Sequence, residues 1–134
     1  MKILLDTHIL LWALSNDTKL PEKARELITN EENEIYYSVI SLWEAEIKHL
    51  AHPDIMSVSA EEISGYCEQS GYKQITIKEN HVFNMKGLKR KKGTPPHKDP
   101  FDQMLICQAD MENMVFVTHD SLIPGYNKSC ILFL

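Results

Sequence analysis

The stretch DPFDQMLICQADMENMVFVTHD, residues 99 to 120, decides the fold of this chain. Asp99 and Pro100 are typical of a helix cap and a first helical position, so a helix is predicted to begin there. MVFVT follows as an apolar, β-branched strand that ends close to Asp120. A helix that leads directly into such a strand predicts one unit of an α/β fold, in which strands alternate with helices.

The same alternation extends outward through the rest of the chain. Further strands are predicted at residues 2–5, 34–40 and 72–77 and in the closing SCILFL. Helices are predicted for ILLWAL, PEKARELITN, SLWEAEIKHLA, residues 59–70 and ENHVFNMKGL. Ser41 and Ser59 each precede a glutamate by three residues, which is the pattern of a capping box. This order predicts a three-layer α/β domain, whose ligands bind at the carboxyl ends of the parallel strands.

Length and composition indicate one globular domain over residues 1–134. The chain has a mass of 15.5 kDa, with 43% hydrophobic and 25% charged residues, as folded domains have. Its longest uncharged run, residues 7–16, is too short to cross a bilayer. Three cysteines without a CxxC pair favour free thiols in a reducing compartment. We therefore expect a cytoplasmic protein without a membrane partner.

Charge is distributed unevenly along the chain. The net charge of -5 disfavours general binding to nucleic acid. Residues 86–98, the basic segment, nevertheless hold six Lys or Arg and no acid, whereas the rest of the chain has 8 basic and 19 acidic residues. The segment is either a solvated loop or a phosphate-binding element. In the second case its RNA-binding residues are Lys89, Arg90, Lys91, Lys92, His97 and Lys98.

Two aspartates follow predicted strands at the edge where ligands bind. Asp6 comes directly after ILL, and Asp120 comes shortly after VFVT. Each could cap the helix that follows it. A pair of carboxylates at one edge would repel each other, however, and would require a counter-ion.

Two further acids, Glu44 and Asp102, lie three residues into predicted helices that start at Ser41 and Asp99. The helix dipole favours acids in the first turn, so a purely structural role is an alternative for both. If all four acids converge, their hard oxygen ligands suit Mg²⁺ or Mn²⁺. Such an ion activates a bound water and neutralises charge on phosphoryl oxygens.

Four ordered blocks of the sequence resemble the PIN domain and, more narrowly, the VapC-like toxins of bacterial toxin–antitoxin pairs. The blocks are LLDTHILLWAL, SVISLWEAEIK, HKDPFDQMLICQA and VFVTHDSLIPGY. They cover the chain from end to end, in the order and at the spacing usual for the family. The resemblance implies a central parallel sheet of strand order 3-2-1-4-5 flanked by helices.

The resemblance also implies a site, an activity and partners. The catalytic and metal-binding quartet of the family falls on Asp6, Glu44, Asp102 and Asp120, with Asp99 as an accessory acid and Thr7, Ser41 and Thr118 as supporting hydroxyls. The implied activity is Mg²⁺- or Mn²⁺-dependent hydrolysis of RNA phosphodiesters, leaving 5′-phosphate and 3′-hydroxyl ends. The implied partners are an RNA substrate, a small antitoxin protein and a second copy of the chain in a homodimer.

The chain departs from its subgroup at Lys98 and Gln103, where arginine is common. Loss of these guanidinium groups removes either bidentate phosphate contacts or a contact to the antitoxin. Two other functions are alternatives: a catalytically silent PIN module that binds RNA or protein, and a PIN-type nuclease that acts on DNA. A phosphate-switch receiver domain is disfavoured, because residues 75–81 offer no aspartate after the third predicted strand.

Overall fold

A computed structural model describes the whole chain, residues 1 to 134. Five strands form one sheet: β1 (Lys2–Leu5), β2 (Glu34–Ser38), β3 (Lys73–Ile75), β4 (Val115–Thr118) and β5 (Ile131–Phe133). Six α-helices connect them: α1 (Thr7–Ser15), α2 (Glu22–Thr29), α3 (Val39–Ala51), α4 (Ala60–Gln69), α5 (Glu79–Phe83) and α6 (Pro100–Met111). Two short 3₁₀ helices follow α5 and β4, at Asn84–Gly87 and Ile123–Gly125. No helix combines the length and the apolar character that a membrane span requires.

The sheet has the order β3-β2-β1-β4-β5, and every pair of neighbouring strands is parallel. Leu4 of β1 lies opposite Tyr36 of β2, and Leu5 lies opposite Val117 of β4. Strand order therefore reverses between β1 and β4, the position at which open α/β sheets form a ligand crevice. The strand order implied by the family resemblance is confirmed.

The central strand β1 is buried on both faces and joins two apolar layers. Ile3 and Leu5 pack on one side with Ile9 of α1, and Leu4 packs on the other side with Ile106 of α6. All of these side chains are fully buried, and burial of each contributes about 1.5–3 kcal/mol. Helices therefore cover both sides of the sheet, which confirms the predicted three-layer α/β fold.

The start of α3 differs from the prediction. Ser38, not Ser41, is the cap: its Oγ accepts a hydrogen bond from the backbone N of Ile40 at 3.0 Å. The β-branched pair Val39 and Ile40 suggested a longer strand, but the cap at Ser38 turns these residues into the first turn of the helix. Glu44 therefore lies beyond the first turn, and the capping-box interpretation of this residue is wrong.

Other predicted helix starts are confirmed. Oδ1 of Asp99 accepts from the backbone N of Phe101 and of Asp102, at 2.9 and 3.3 Å. Ser59 and Glu62 form the reciprocal hydrogen bonds of a capping box. The cap at Asp99 fixes the first turn of α6, and with it the position of the Asp102 carboxyl group.

One buried amide ties α6 to the sheet. Gln108 has no exposed surface; its Oε1 accepts from Ser38 Oγ at 2.7 Å, and its Nε2 donates to the carbonyl oxygen of Thr76 at 3.2 Å. We expect Gln108→Ala to lower the free energy of unfolding by about 2–3 kcal/mol, because it leaves a cavity and unpaired polar groups. Thermal denaturation beside Gln69→Ala, an exposed helical control, checks this. Equal melting temperatures for the two variants would contradict it.

Candidate active site

Asp6 is a buried acid at the end of β1. It is the N-cap residue of α1 and is only 4% exposed. Its Oδ1 accepts from the backbone N of Thr7 at 2.7 Å, and its Oδ2 accepts from Thr118 Oγ1 at 2.6 Å. Burial raises the pKa of Asp6, while the hydrogen bonds from Thr118 and Thr7 oppose that rise. Asp6 is thus both a helix cap and a buried acid in the crevice.

A second acid comes from the end of β4. Thr118 Oγ1, which donates to Asp6, also accepts from the backbone N of Asp120 at 3.1 Å. Asp120 is half-buried, and its Oδ1 accepts from the backbone N of Leu122 at 2.9 Å. Thr118 therefore connects the ends of β1 and β4, and its two hydrogen bonds hold Asp6 and Asp120 at the same crevice.

Glu44 reaches the crevice from α3. The hydroxyl oxygens of Ser41 and Thr7 lie 2.8 Å apart and join α3 to α1. Glu44 is 7% exposed; its Oε2 lies 3.3 Å from Lys48 Nζ, and its Oε1 is buried without a hydrogen-bond partner. An unpartnered buried carboxylate oxygen is costly, so this atom calls for a cation or a water.

Asp102, in the first turn of α6, shows how closely the acids approach. It is 8% exposed. Burial, followed by the negative charges of Asp6, Asp99, Glu44 and Asp120, raises the pKa of Asp102 to about 8. The structure therefore brings together the four acids that the sequence singled out, each from a different part of the fold.

The donor set of this acidic cluster fits a divalent cation. Carboxylate oxygens are the ligands that Mg²⁺ and Mn²⁺ prefer, and the unpartnered Oε1 of Glu44 is available as one of them. Burial and then the neighbouring acids raise the pKa of Asp102, and a cation would offset both effects. Oδ1 of Asp99 caps α6, so this accessory acid has only its second oxygen left for a ligand.

His97 is buried beside Asp102 instead of lying exposed on the basic segment. Its side chain is 5% exposed, and its Nε2 lies 3.2 Å from Oδ2 of Asp102. Its Nδ1 lies 2.7 Å from the hydroxyl oxygen of Tyr126. The structure therefore corrects the prediction for this residue: His97 belongs to the acidic cluster and offers no surface to an RNA phosphate.

Arg90 is also withdrawn from the surface predicted for RNA. Its guanidinium donates to the carbonyl oxygens of Pro95 and Leu122, at 3.0 and 2.7 Å through Nε and Nη1, and lies 4.6 Å from the ring centroid of Tyr126. Its role is to fold the basic segment against the chain near Tyr126. The other predicted RNA-binding residues stay exposed: Lys89, Lys91, Lys92 and Lys98.

An aromatic wall that the sequence analysis missed completes the crevice. Asp6 and Asp120 line a cleft of about 290 Å³ together with His8, Trp12 and His119. The ring of Trp12 lies 5.8 Å from each of the two imidazoles. The sequence offers one indication of this wall: His8 and His119 each lie within two residues of a site acid.

Solved structures share this fold at low sequence identity. The first is "Crystal structure of VapBC2 from Rickettsia felis bound to a DNA fragment from their promoter", with a TM-score of 0.62 and 18% identity, covering 100% of this chain and 98% of that chain. VapBC-1 from nontypeable Haemophilus influenzae has a TM-score of 0.56 and 21% identity, covering 90% and 87%. A domain of a functionally unknown protein from Methanocaldococcus jannaschii has a TM-score of 0.55 and 14% identity, covering 99% and 90%. At these identities the likeness establishes the fold alone.

The sequence itself matches a known family. No curated protein matches the chain significantly. The family described as "PIN domain", however, matches residues 3–127. That span includes all four acids of the cluster, residues 3–5 of β1 and the whole of β4. The resemblance seen in the sequence is confirmed, and the chain belongs to the PIN domain family.

Proposed function

We propose that this protein is a Mg²⁺- or Mn²⁺-dependent endoribonuclease, with residues 1–134 acting as one PIN domain. One observation carries the proposal: four carboxylates converge on a crevice that contains a buried, unpartnered carboxylate oxygen. PIN domains are generally metal-dependent nucleases, and this chain retains the complete quartet. A binding module without turnover would have no need of so costly an arrangement.

The acids hold the reacting groups in the proposed reaction. A bound divalent cation supplies an activated water and neutralises charge on the phosphoryl oxygens. Asp6, Glu44 and Asp102 hold the cation directly or through water, and Asp120 completes the cluster. Asp99 acts as an accessory acid and keeps α6 in place through its cap.

The supporting hydroxyls fix the acids in position. Thr118 donates to Oδ2 of Asp6. This bond fixes the orientation of the carboxylate and therefore of the lone pairs that remain free for a ligand. Thr7 and Ser41 lock α1 against α3, one turn before Glu44. Because each acid is oriented before substrate arrives, little reorganisation is needed during the reaction.

We further propose that the protein is the cytoplasmic toxin of a toxin–antitoxin pair. Two of the solved structures with its fold carry the VapBC designation, which agrees with the VapC resemblance of the sequence. Three unpaired cysteines, Cys67, Cys107 and Cys130, are compatible with a reducing compartment. A small antitoxin would inhibit the nuclease activity of such an enzyme until the antitoxin is removed.

An exposed apolar face supports the proposed protein partners. Trp43 and Leu50 of α3 are 57% and 75% exposed, and Ile47 lies between them on the same helix. Val82 and Phe83 of α5 are also exposed. Apolar side chains concentrated on adjoining helices are typical of protein interfaces, here those of the homodimer or of the antitoxin.

Cleavage of an end-labelled, structured RNA tests the proposed function. Mg²⁺ or Mn²⁺ should support cutting within the RNA, and EDTA should stop it. Single-stranded DNA of the same sequence should stay intact; if DNA alone is cut, the nuclease is retained but the RNA substrate is wrong. If neither is cut by the wild type, and Asp120→Asn binds RNA as tightly as the wild type does, the silent module is correct.

Lys91 and Lys92 are expected to hold RNA phosphates outside the crevice. Replacing both with alanine should weaken RNA binding by about tenfold at low salt and reduce the slope of log affinity against log salt by about 1.4 to 1.8. Filter binding in EDTA over a salt series measures both quantities. Lys2→Ala with Lys73→Ala is the matched control, because these lysines begin β1 and β3 at the opposite edge of the sheet. Equal slopes for the two double variants would show that the basic segment is only solvated.

A further inference from the structure

His97 has hydrogen-bond partners that fix where its ring proton lies. The hydroxyl of Tyr126 donates to the carbonyl oxygen of His97 at 2.9 Å. The hydroxyl oxygen of Tyr126 accepts from Nε2 of Gln103 at 3.1 Å and lies 2.7 Å from Nδ1 of His97. A tyrosine hydroxyl has a single proton to donate, and here that proton is committed to the carbonyl. The contact with the ring therefore requires a proton on Nδ1 of His97.

The opposite ring nitrogen then faces the acids with its lone pair. With the proton on Nδ1, the neutral imidazole presents Nε2 as an acceptor. Nε2 lies 3.2 Å from Oδ2 of Asp102, and the His97 side chain is only 5% exposed. A protonated Asp102 can donate to this lone pair and an ionised Asp102 cannot, so a cation can take the place of that proton between the two groups.

We infer that His97 Nε2 is a metal ligand of the acidic cluster, alongside carboxylate oxygens of Asp102 and Asp120. This inference rests on the proposed metal dependence of the enzyme. The ligand atoms of these three residues lie within 4.8 Å of one another, and adjacent ligands of an octahedral ion are about 3 Å apart. The buried Oε1 of Glu44 has no hydrogen-bond partner, so it is an independent polar atom at this cluster that a cation would satisfy.

The contacts of Tyr126 match those that support a histidine ligand. A metal-binding imidazole generally donates its other N–H to a neighbouring acceptor, which fixes the tautomer and the ring orientation. Tyr126 supplies that acceptor, and it is itself held by Gln103 and by the Arg90 guanidinium 4.6 Å from its ring centroid. The departure from arginine at Gln103 thus has a role, because an amide donor can fix Tyr126 here.

A nitrogen ligand changes which cation the site prefers. Mg²⁺ favours oxygen ligands and retains its waters, whereas imidazole suits the transition metals. We expect the wild type to prefer Mn²⁺ over Mg²⁺. His97→Gln should weaken Mn²⁺ binding by at least about tenfold and Mg²⁺ binding by about threefold or less. Calorimetric titration of both ions into the full chain measures the two affinities without requiring turnover.

Electron spin-echo spectroscopy of bound Mn²⁺ tests the ligand directly. The wild type should show modulation from a coordinated ¹⁴N, and labelling of histidine with ¹⁵N should replace it with the ¹⁵N pattern. His97→Gln should remove the modulation, and the remote His49→Gln should leave it unchanged. If His97→Gln fails to fold, His8→Gln and His119→Gln keep the test decisive, because both should retain the modulation although their histidines line the cleft.

The outcomes separate this inference from the proposed function. Bound Mn²⁺ without nitrogen modulation overturns the His97 assignment and leaves the metal-dependent nuclease standing. Modulation that is lost in His119→Gln but kept in His97→Gln assigns the nitrogen to the other histidine and also overturns it. If no Mn²⁺ binds and RNA is still cut in EDTA, the metal dependence fails and His97 ligation fails with it.

Discussion

Asp6→Asn should reduce RNA cleavage by at least about a thousandfold, equivalent to about 4 kcal/mol of transition-state stabilisation. Asp6 lies at the reversal point of the sheet and is oriented by hydrogen bonds to both of its oxygens. An asparagine amide keeps one of these bonds at its single oxygen, and its NH₂ can donate to Thr118 Oγ1 instead of accepting from it. The amide lacks the charge that holds a cation. The variant should therefore keep its fold and lose its metal-dependent reaction.

Two measurements separate loss of chemistry from loss of structure. Single-turnover cleavage with saturating Mn²⁺ gives the rate. The matched control is Asp54→Asn, because Asp54 is an exposed acid in the loop that follows α3. Melting in EDTA reports the fold: Asp6→Asn should melt at or above the wild-type temperature, because one buried repelling charge is gone. A variant that melts normally and still cuts at more than a tenth of the wild-type rate would contradict the assigned role of Asp6.

The metal-free protein should lose stability as the pH rises from about 4 to 8. Burial and the neighbouring acids raise the pKa of Asp102 to about 8, whereas an unfolded aspartate titrates near about 4. Between these values the folded state holds the extra proton, so the free energy of unfolding falls as pH rises. The stabilising contribution is complete below about pH 4 and is lost above about pH 8. Burial shifts the pKa of Asp6 in the same direction.

Thermal melts in EDTA across this pH range check the prediction. The melting temperature of the wild type should fall by at least about 5 °C, and Asp102→Asn should remove most of that fall. Saturating Mn²⁺ should raise the wild-type melting temperature most at high pH, because the ion takes the place of the proton. A wild-type melting temperature that is flat in EDTA, or indifferent to Mn²⁺, would contradict the acidic cluster as a metal site.

The placement of the acids was predictable because it depends on local pattern. Asp6 and Asp120 each follow an apolar strand, and parallel strands bring their carboxyl ends to one edge. Asp99 and Pro100 define the start of α6 by well-known cap chemistry. The strand order was predicted only from the family resemblance, because no local property of the β1 sequence indicates which strands pair with it.

The remaining features depend on contacts between distant segments. Arg90 pairs with Tyr126 across an isolated antiparallel bridge, and nothing near Arg90 in the sequence indicates this partner. His97 is buried against the same residue, Tyr126. Because the sequence does not show these contacts, all cationic residues of the basic segment were predicted to be available for phosphate. The start of α3 was misplaced for a different reason: Val39 and Ile40 favour strands intrinsically, and the cap at Ser38 overrides that preference.

The bond between Thr118 and Asp6 joins residues 112 positions apart, and this separation has a consequence during translation. Strand β1 pairs with β4, which is synthesised about 110 residues later. At about 5–20 residues per second, the ribosome delivers Thr118 roughly 6–20 s after Asp6. The crevice therefore cannot assemble until β4 has been synthesised, so Asp6 exists without its partner strand for all of that time.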